Sequence, residues 1–570
     1  MEARENKFNF IRDERKIVIP FFQRPYVWKK EHWEQLLNDL KNSFLNKKEH
    51  FLGSIVLKRN NGVENYSIVI DGQQRLTTFS ILIKVLYDFL NQEQREDLEL
   101  KTFLFTKKEP RINHSKLDKE KYEKVLKDEN IDNQEKDGIF GCYNYFKKEV
   151  ENLKQNINLY NFVEFIIGSK LWVVVCLNKD EDEQKIFDSI NSTGQRLSST
   201  DIIKNALFGK IIDITNEDKA MQYYKEYWDS VFDKDEIEQE FWNEEIESGR
   251  VKRNKSEIFL YSYAIIKDIF NTEIHNLSNL SDLYKKHIEN LNENDLKELL
   301  KELKDYARIY RNFPDINKTT VLKYENYELR FFHIISVYNT NTVMPLILFL
   351  KKILSQNENI YKECLYLLEM LILLNPETKD YNKFFSKIIK KIQNSNIDNI
   401  INIIKFESYD RYGEYFNKNE VRNWLYCIKN KDANFILFWI ELYRQYKNKD
   451  YKDNTLGLNY VYTLEHLLPQ SWKEHWNDII NDDEAEEIIY QIGNMTLLKG
   501  SLNSSLRNMN WQAKLNGDGK AKNYIRKNAD LLINKELLNK ELWNKDEIKS
   551  RTEEFINEFF EIWNVELFNK

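Results

Sequence analysis

Cysteine is scarce in this sequence: Cys142, Cys176, Cys364 and Cys427 are the four in 570 residues, far apart and with no C-x-x-C pair. That spacing argues against a zinc knuckle or a disulfide framework and fits a reducing cytoplasm. No apolar run approaches the roughly 18 residues that span a bilayer, so no membrane partner is expected. The opening MEARENKFNFIRDERK is charged where a signal peptide needs an apolar stretch. An excess of basic charge is missing too. The formal net charge of −7 excludes a chain coated in positive surface but allows a local basic groove. One such shift lies near the C-terminal end. Gln491 to Asp530 carries seven Lys or Arg against two Asp, after the acidic DIINDDEAEE (478–487). No G-x-x-x-x-G-K-[ST] occurs, which excludes a P-loop.

What is present reads as globular, with 42% hydrophobic and 31% charged residues. The length predicts about two to four domains. Short β-branched or aromatic runs, KIVIPFF (16–22), FLGSIVL (51–57), YSIVI (66–70) and KLWVVVCL (170–177), predict strands. Helical stretches separate them at 31–45, 73–90 and 116–153, so residues 1–215 are expected to form a mixed α/β domain. None of the 15 glycines falls between Gly249 and Gly413. That region places apolar residues at three- and four-residue intervals, which predicts an all-helical connector over 216–435. No fixed-period repeat stands out. Residues 436–570 form the remaining domain, and the fold class is multidomain α+β.

Three motifs stand in the first domain: IPFFQRPYVW (19–28), VIDGQQRLTT (69–78) and IFDSINSTGQRLSSTDIIKNALF (186–208). In the second, a buried strand ends at Asp71-Gly72 and a helix follows at once. Free N–H groups at such a helix start favour an anion, phosphate among them. Asp71 suits a metal or a water, and Arg75, one turn on, suits phosphate oxygens. Taken alone, the motif also reads as Asp71 capping a helix and Arg75 on a solvated face. Together the three motifs resemble the N-terminal domain of the GmrSD family of modification-dependent restriction systems, over about residues 8–210. The resemblance implies a ParB-like fold that binds and hydrolyses a nucleoside triphosphate, GTP or another. It carries over Asp71, Gly72, Gln73, Gln74 and Arg75 as nucleotide-site residues, with Asp71 and Arg75 acting in hydrolysis. Gln23 and Arg24 match the family's first motif. Asn191, Gly194, Asp201 and Lys204 match its third.

Near the C-terminal end stands TLEHLLPQSW (463–472), an acid–histidine pair with a proline three residues after the histidine, in a chain with 8 His and 7 Pro. QIGNMTLLKG (491–500) and SLNSSLRNMNWQAK (501–514) follow. The order EHxxPQ…GNxxLL…N resembles the HNH, or ββα-metal, nuclease domain of the same proteins, over about residues 440–530. Phosphodiester cleavage needs a base for water and a cation to stabilise charge on phosphorus. His466 is the candidate base, with an ordinary pKa near 6.5. Glu465, on the opposite face of an extended strand, and Asn503 are the candidate metal ligands. Their hard oxygens suit Mg²⁺ or Mn²⁺. Asn494 is placed to hold the hairpin or His466 in register, and Pro469 to fix the turn after the strand. Some HNH enzymes have histidine where Asn503 stands; as the third ligand Asn503 is preferred over Asn508. His475 reads as a packed helix residue.

The expected function is a cytoplasmic, triphosphate-regulated DNA endonuclease of the type IV restriction class. Its partners would be double-stranded DNA, modified or phage-derived, and the triphosphate, in anti-phage defence; a homo-oligomer is left open. Two rivals remain. One is a nucleotide-binding regulator whose nuclease domain is degenerate. The other is a non-specific DNA or RNA nuclease acting as a toxin.

Overall fold

The structure is a computed structural model describing residues 2–14, 16–23, 25–48, 50–61, 65–114, 116–177, 198–248, 251–375, 380–448, 457–474, 476, 482–519 and 523–568. It is mostly helical with a small mixed sheet, a multidomain α+β protein. Two compact units divide the chain. One comprises Met1–Glu226 with Tyr284–Lys297, the other Tyr227–Leu283 with Glu298–Lys570.

The first unit is built on a six-stranded sheet: β1 (Glu2–Asn6), β2 (Ile17–Val18), β3 (Gly53–Asn61), β4 (Asn65–Asp71), β5 (Ile112–Asn113) and β6 (Trp172–Leu177), in the order β1-β6-β3-β4-β2-β5. β3 runs parallel to β6 and antiparallel to β4, while β2 runs parallel to β4 and β5. The β-branched runs become the central strands because both their faces are covered. β1 falls outside the expected strands. Its polar EAREN carries no apolar alternation, and an edge strand antiparallel to β6 needs little.

Helices α1 (Lys30–Asn46) and α2 (Gln73–Phe89) match the predicted stretches. α2 is buried along nearly its whole length. Residues 116–153 form two helices, α3 (Lys116–Lys127) and α4 (Gly138–Leu153). Left-handed residues Asp128 (φ 57°), Asn130 (φ 46°) and Gly138 (φ 66°) break the run. α5 (Ser199–Ile214) follows in the same unit.

The second unit is mainly helical, but its middle is not all helix. β7 (Glu245–Ser248) and β8 (Val251–Asn254) pair as antiparallel neighbours, and Val321–Leu322 pairs with Leu458–Asn459. The residues EIES and VKRN flank Gly249 and satisfy each other's backbone in a ladder, a local option that helical periodicity does not report.

Toward the C-terminal end stand α6 (Asn430–Lys447), β9 (Thr463–His466), β10 (Met495–Leu498), α7 (Gly500–Leu506), α8 (Trp511–Asn516) and α9 (Lys545–Ile562). β9 and β10 are antiparallel, and α7 follows β10 after one residue. Leu467, Leu468, Leu498, Leu502, Trp511, Trp543 and Ile548 form the core beneath them. Arg444 of α6 donates to both carboxylate oxygens of Glu558 on α9, at 2.8 and 3.1 Å.

Candidate nucleotide and nuclease sites

β4 passes into α2 through Gly72, the N-cap, at φ 91°. A side chain there would put Cβ 2.5 Å from Ile55 Cδ1 and 2.9 Å from the Ser54 carbonyl oxygen. Glycine is required both by the left-handed backbone and by the close approach. A glycine N-cap offers no side chain to the first-turn N–H groups, which leaves the helix start suited to an anion. A register shift beside Asp71 on β4 sets the strand end apart from the regular pleat. Asp71 Oδ2 lies 3.6 Å from Arg75 Nη2, both side chains about a fifth exposed. Arg75 Nη1 also donates to the Ser54 carbonyl at 2.5 Å. Gly53 (φ 132°) makes room for it, since a Cβ there would lie 2.3 Å from Arg75 Nη1.

Two glutamines stitch the first motif to the second. Buried Gln23 donates to the Val69 carbonyl at 2.6 Å. Buried Gln74 accepts from Val27 N (2.9 Å) and Trp28 N (3.3 Å) and donates to the Pro25 carbonyl (2.9 Å). Gln73 is half-buried on the same turn. Phe21 and Phe22 pack on Phe208 of α5, ring centroids 6.2 and 6.0 Å apart, which brings in the third motif. On α5, Asp201 forms a capping box with Ser198, the N-cap. Buried Lys204 lies 3.8 Å from Asp201 Oδ1. Arg24, Asn191 and Gly194 lie outside the described residues. Tyr26 is core, its hydroxyl bonded to Thr78 and Trp33, whereas half-buried Trp28 stacks on His32.

In the second unit, β9 sets Glu465 opposite Thr496 and His466 opposite Met495. Strand alternation turns their side chains to opposite faces. Asn494 is fully buried. Its Oδ1 accepts from Leu468 N (2.8 Å) and Trp543 Nε1 (3.1 Å), and its Nδ2 donates to the carbonyls of Leu468 (2.9 Å) and Ile489 (3.0 Å). The amide therefore ties down the turn that leaves β9. Gly493 before it must be glycine, because a Cβ would stand 2.4 Å from Thr552 N.

His466 Nδ1 lies 3.1 Å from the same Ile489 carbonyl, and Nε2 lies 3.1 Å from Asn430 Oδ1 at the start of α6. Burial pushes its pKa below the ordinary value; the Ile489 hydrogen bond opposes that, and the Lys514 charge adds to it. The imidazole is thus neutral at pH 7, and Nδ1–H donating to Ile489 fixes Nε2 as the basic nitrogen.

Glu465 is mostly buried, with Oε1 2.6 Å from Lys514 Nζ on α8. Burial raises its carboxyl pKa, and the lysine counters that. Asn503 on α7 donates through Nδ2 to Thr463 Oγ1 (3.0 Å) and the Leu464 carbonyl (2.9 Å). Its Oδ1 has no hydrogen bond among the described residues. The Asn503 amide thus rests on the residue before Glu465, at the same strand. Among the described residues no three His, Cys, Asp or Glu group as a metal site. One carboxylate and one amide oxygen nevertheless fit a hard cation such as Mg²⁺, which keeps several water or phosphate ligands. Asn508 is half-buried, and His475 lies outside the described residues.

Sequence reasoning missed Lys514 and Asn430. Lys514 sits on the apolar face of α8 between Trp511 and Leu515, a spacing that places a charge in the core and so marks a paired group. Asn430 carries no comparable signal, because a first-turn asparagine is common.

Comparison with known proteins places both regions in one class, the restriction endonucleases. Residues 7–208 match the model of the GmrSD restriction endonuclease N-terminal domain, and residues 414–558 match that of the C-terminal domain. The chain belongs to the GmrSD family of restriction endonucleases, with both domains in order on one polypeptide. No curated protein matches it. No helix among the described residues is long and apolar enough to cross a membrane.

Proposed function

We propose that this nuclease is a metal-dependent HNH-type DNA endonuclease, regulated by a nucleoside triphosphate and directed at foreign or modified DNA. The observation that carries the reading is the convergence on the β9–β10 hairpin. A neutral His466 is oriented by Ile489, the turn beside it is locked by Asn494, and Glu465 and Asn503 offer oxygens at the same strand. In the proposed reaction a water oxygen attacks phosphorus while its proton passes to His466 Nε2. The bond from phosphorus to the leaving sugar oxygen breaks, and that oxygen takes a proton from solvent. Glu465 and Asn503 would hold Mg²⁺ or Mn²⁺, which when bound stabilises the charge building on phosphate.

The first unit supplies the regulatory reading. Asp71, Gly72, Gln73, Gln74 and Arg75 surround an anion-favouring helix start, fastened to the loop that carries Gln23. Asp71 and Arg75 are the pair assigned to triphosphate hydrolysis, with Asp201 and Lys204 completing the site. Nucleotide state would shift the nuclease between restrained and competent forms, a coupling of about 1–3 kcal/mol in typical systems.

The test is plasmid and phage DNA cleavage by the full chain. Matched modified and unmodified substrates are compared with Mg²⁺ or with chelator, and with each triphosphate, a non-hydrolysable analogue or none. Metal-dependent cutting that responds to nucleotide supports the reading. Cutting at one rate in all nucleotide conditions would leave a nuclease without triphosphate control, and no cutting under any condition would leave the degenerate reading.

A further inference from the structure

We infer that Lys514 is a positioning residue that presents Glu465 to the metal, an inference resting on the metal-dependent reading above. The side chain of Lys514 is completely buried, which is rare for lysine. Its ammonium donates to Glu465 Oε1 at 2.6 Å and to the His466 carbonyl at 2.9 Å. One cation therefore holds both the side chain of the candidate ligand and the backbone of the candidate base.

The consequence is geometric. A glutamate on a strand can turn about three side-chain bonds, and a ligand that turns loses the cation it should hold. Lys514 engages one carboxylate oxygen and leaves Oε2 for another cation. The Glu465 side chain retains 12% exposure, so it is not sealed from solvent as Lys514 is. The second hydrogen bond, to the His466 carbonyl, sets the ammonium against the strand itself, which fixes where Glu465 must point. Trp511 and Leu515, one turn before and one residue after the lysine, are buried with it on the same face of α8. A partner that orients a metal ligand commonly accounts for 10–100-fold in metal affinity.

The rival is that Lys514 competes with the metal for Glu465, and the two make opposite predictions. Mn²⁺ binding to the full chain is measured by calorimetry for wild type, Lys514→Met and Lys514→Gln, with melting temperature read alongside. Lys514→Met, which keeps length but no donor, is expected to weaken Mn²⁺ binding at least 10-fold. Lys514→Gln, which keeps two N–H donors, is expected to lose less. Unchanged or tighter binding in a folded Lys514→Met protein would overturn the assignment. Wild-type crystals soaked in Mn²⁺ provide the reading that needs no variant. Anomalous density beside Glu465 with Lys514 still bonded to the other oxygen supports it, and a displaced Lys514 overturns it. Failure of the wild type to bind Mn²⁺ would instead sink the metal-dependent reading, so the two failures are distinct.

Discussion

Gln74 Oε1 accepts the backbone N–H of Val27 at 2.9 Å, and the same side-chain amide donates to the carbonyl of Pro25 two residues earlier. One residue of the second motif thus fixes the shape of the first. A ligand contact and a clamp leave the same residue in a sequence, but they fail differently. Gln74→Ala removes three hydrogen bonds from a buried site, and the first unit should lose about 2–3 kcal/mol. Triphosphate affinity should fall with it. Gln74→Glu retains the acceptor for Val27 while losing the donor to Pro25, so a fluorescent-nucleotide titration beside a melting curve separates the two roles. Normal stability with lost binding would identify a direct ligand instead.

Asp71→Ala should reduce triphosphate hydrolysis at least 100-fold in the full chain. Asp71 stands at a strand end rather than in the core, so the melting temperature should change little. Arg75→Ala should do the same to hydrolysis and lower stability as well, because Arg75 also holds the Ser54 carbonyl. Phosphate release assays with each triphosphate decide this. Normal turnover by Asp71→Ala would place the hydrolytic site elsewhere.

Two buried histidines set an acid limit on folding. His114 and His333 are each pushed down to about 3 by burial. Their folded pKa values lie below the unfolded 6.5, so the unfolded chain binds more protons between the two. Their contribution to stability is therefore full above pH 6.5 and falls on acidification toward pH 3, by about 1.4 kcal/mol per pH unit for each histidine. His114→Gln and His333→Gln should each flatten that slope in urea melts from pH 7 to pH 4. An unchanged slope in both would mean that other groups govern acid unfolding.

The central strands were legible because β-branched runs bounded by turn residues survive burial on both faces, as in WVVVCL of β6. The edge strand β1 and the β7–β8 pair were not, since their polar residues are set by backbone pairing rather than by an apolar pattern. At the nuclease site, E-H, G-N and N appeared in order because the hairpin geometry demands those residue types. Lys514 was hidden 48 residues beyond His466, on another helix. A single lysine has no motif, and only the fold shows that it is buried against Glu465. Gln74 was visible as part of a motif, but its bond to Val27 depends on a loop 47 residues earlier.

The last prediction concerns what a base must give up to work. His466→Ala should abolish metal-dependent cleavage, by 10³-fold or more, while the protein stays folded, because Asn494 and not His466 holds the turn. With Nδ1 committed to the Ile489 carbonyl, Nε2 faces Asn430. A neutral imidazole has its lone pair there, so the asparagine must turn its NH₂ toward it, and an attacking water competes with that contact. Asn430→Ala removes the competitor and should raise kcat several-fold with little change in KM. Asn430→Asp should act in the opposite sense. A carboxylate beside Nε2 favours the imidazolium, raises the His466 pKa and removes the base at neutral pH. In wild type, burial lowers that pKa, so the acid limb of the rate profile should fall below pH 6.5. In Asn430→Asp the limb should move upward, by about one to two pH units for a charge at hydrogen-bond distance. Plasmid nicking from pH 5 to pH 9, at saturating Mn²⁺, reads both shifts. If the limb stays in place in Asn430→Asp while His466→Ala is inactive, then His466 is essential but not the titrating base.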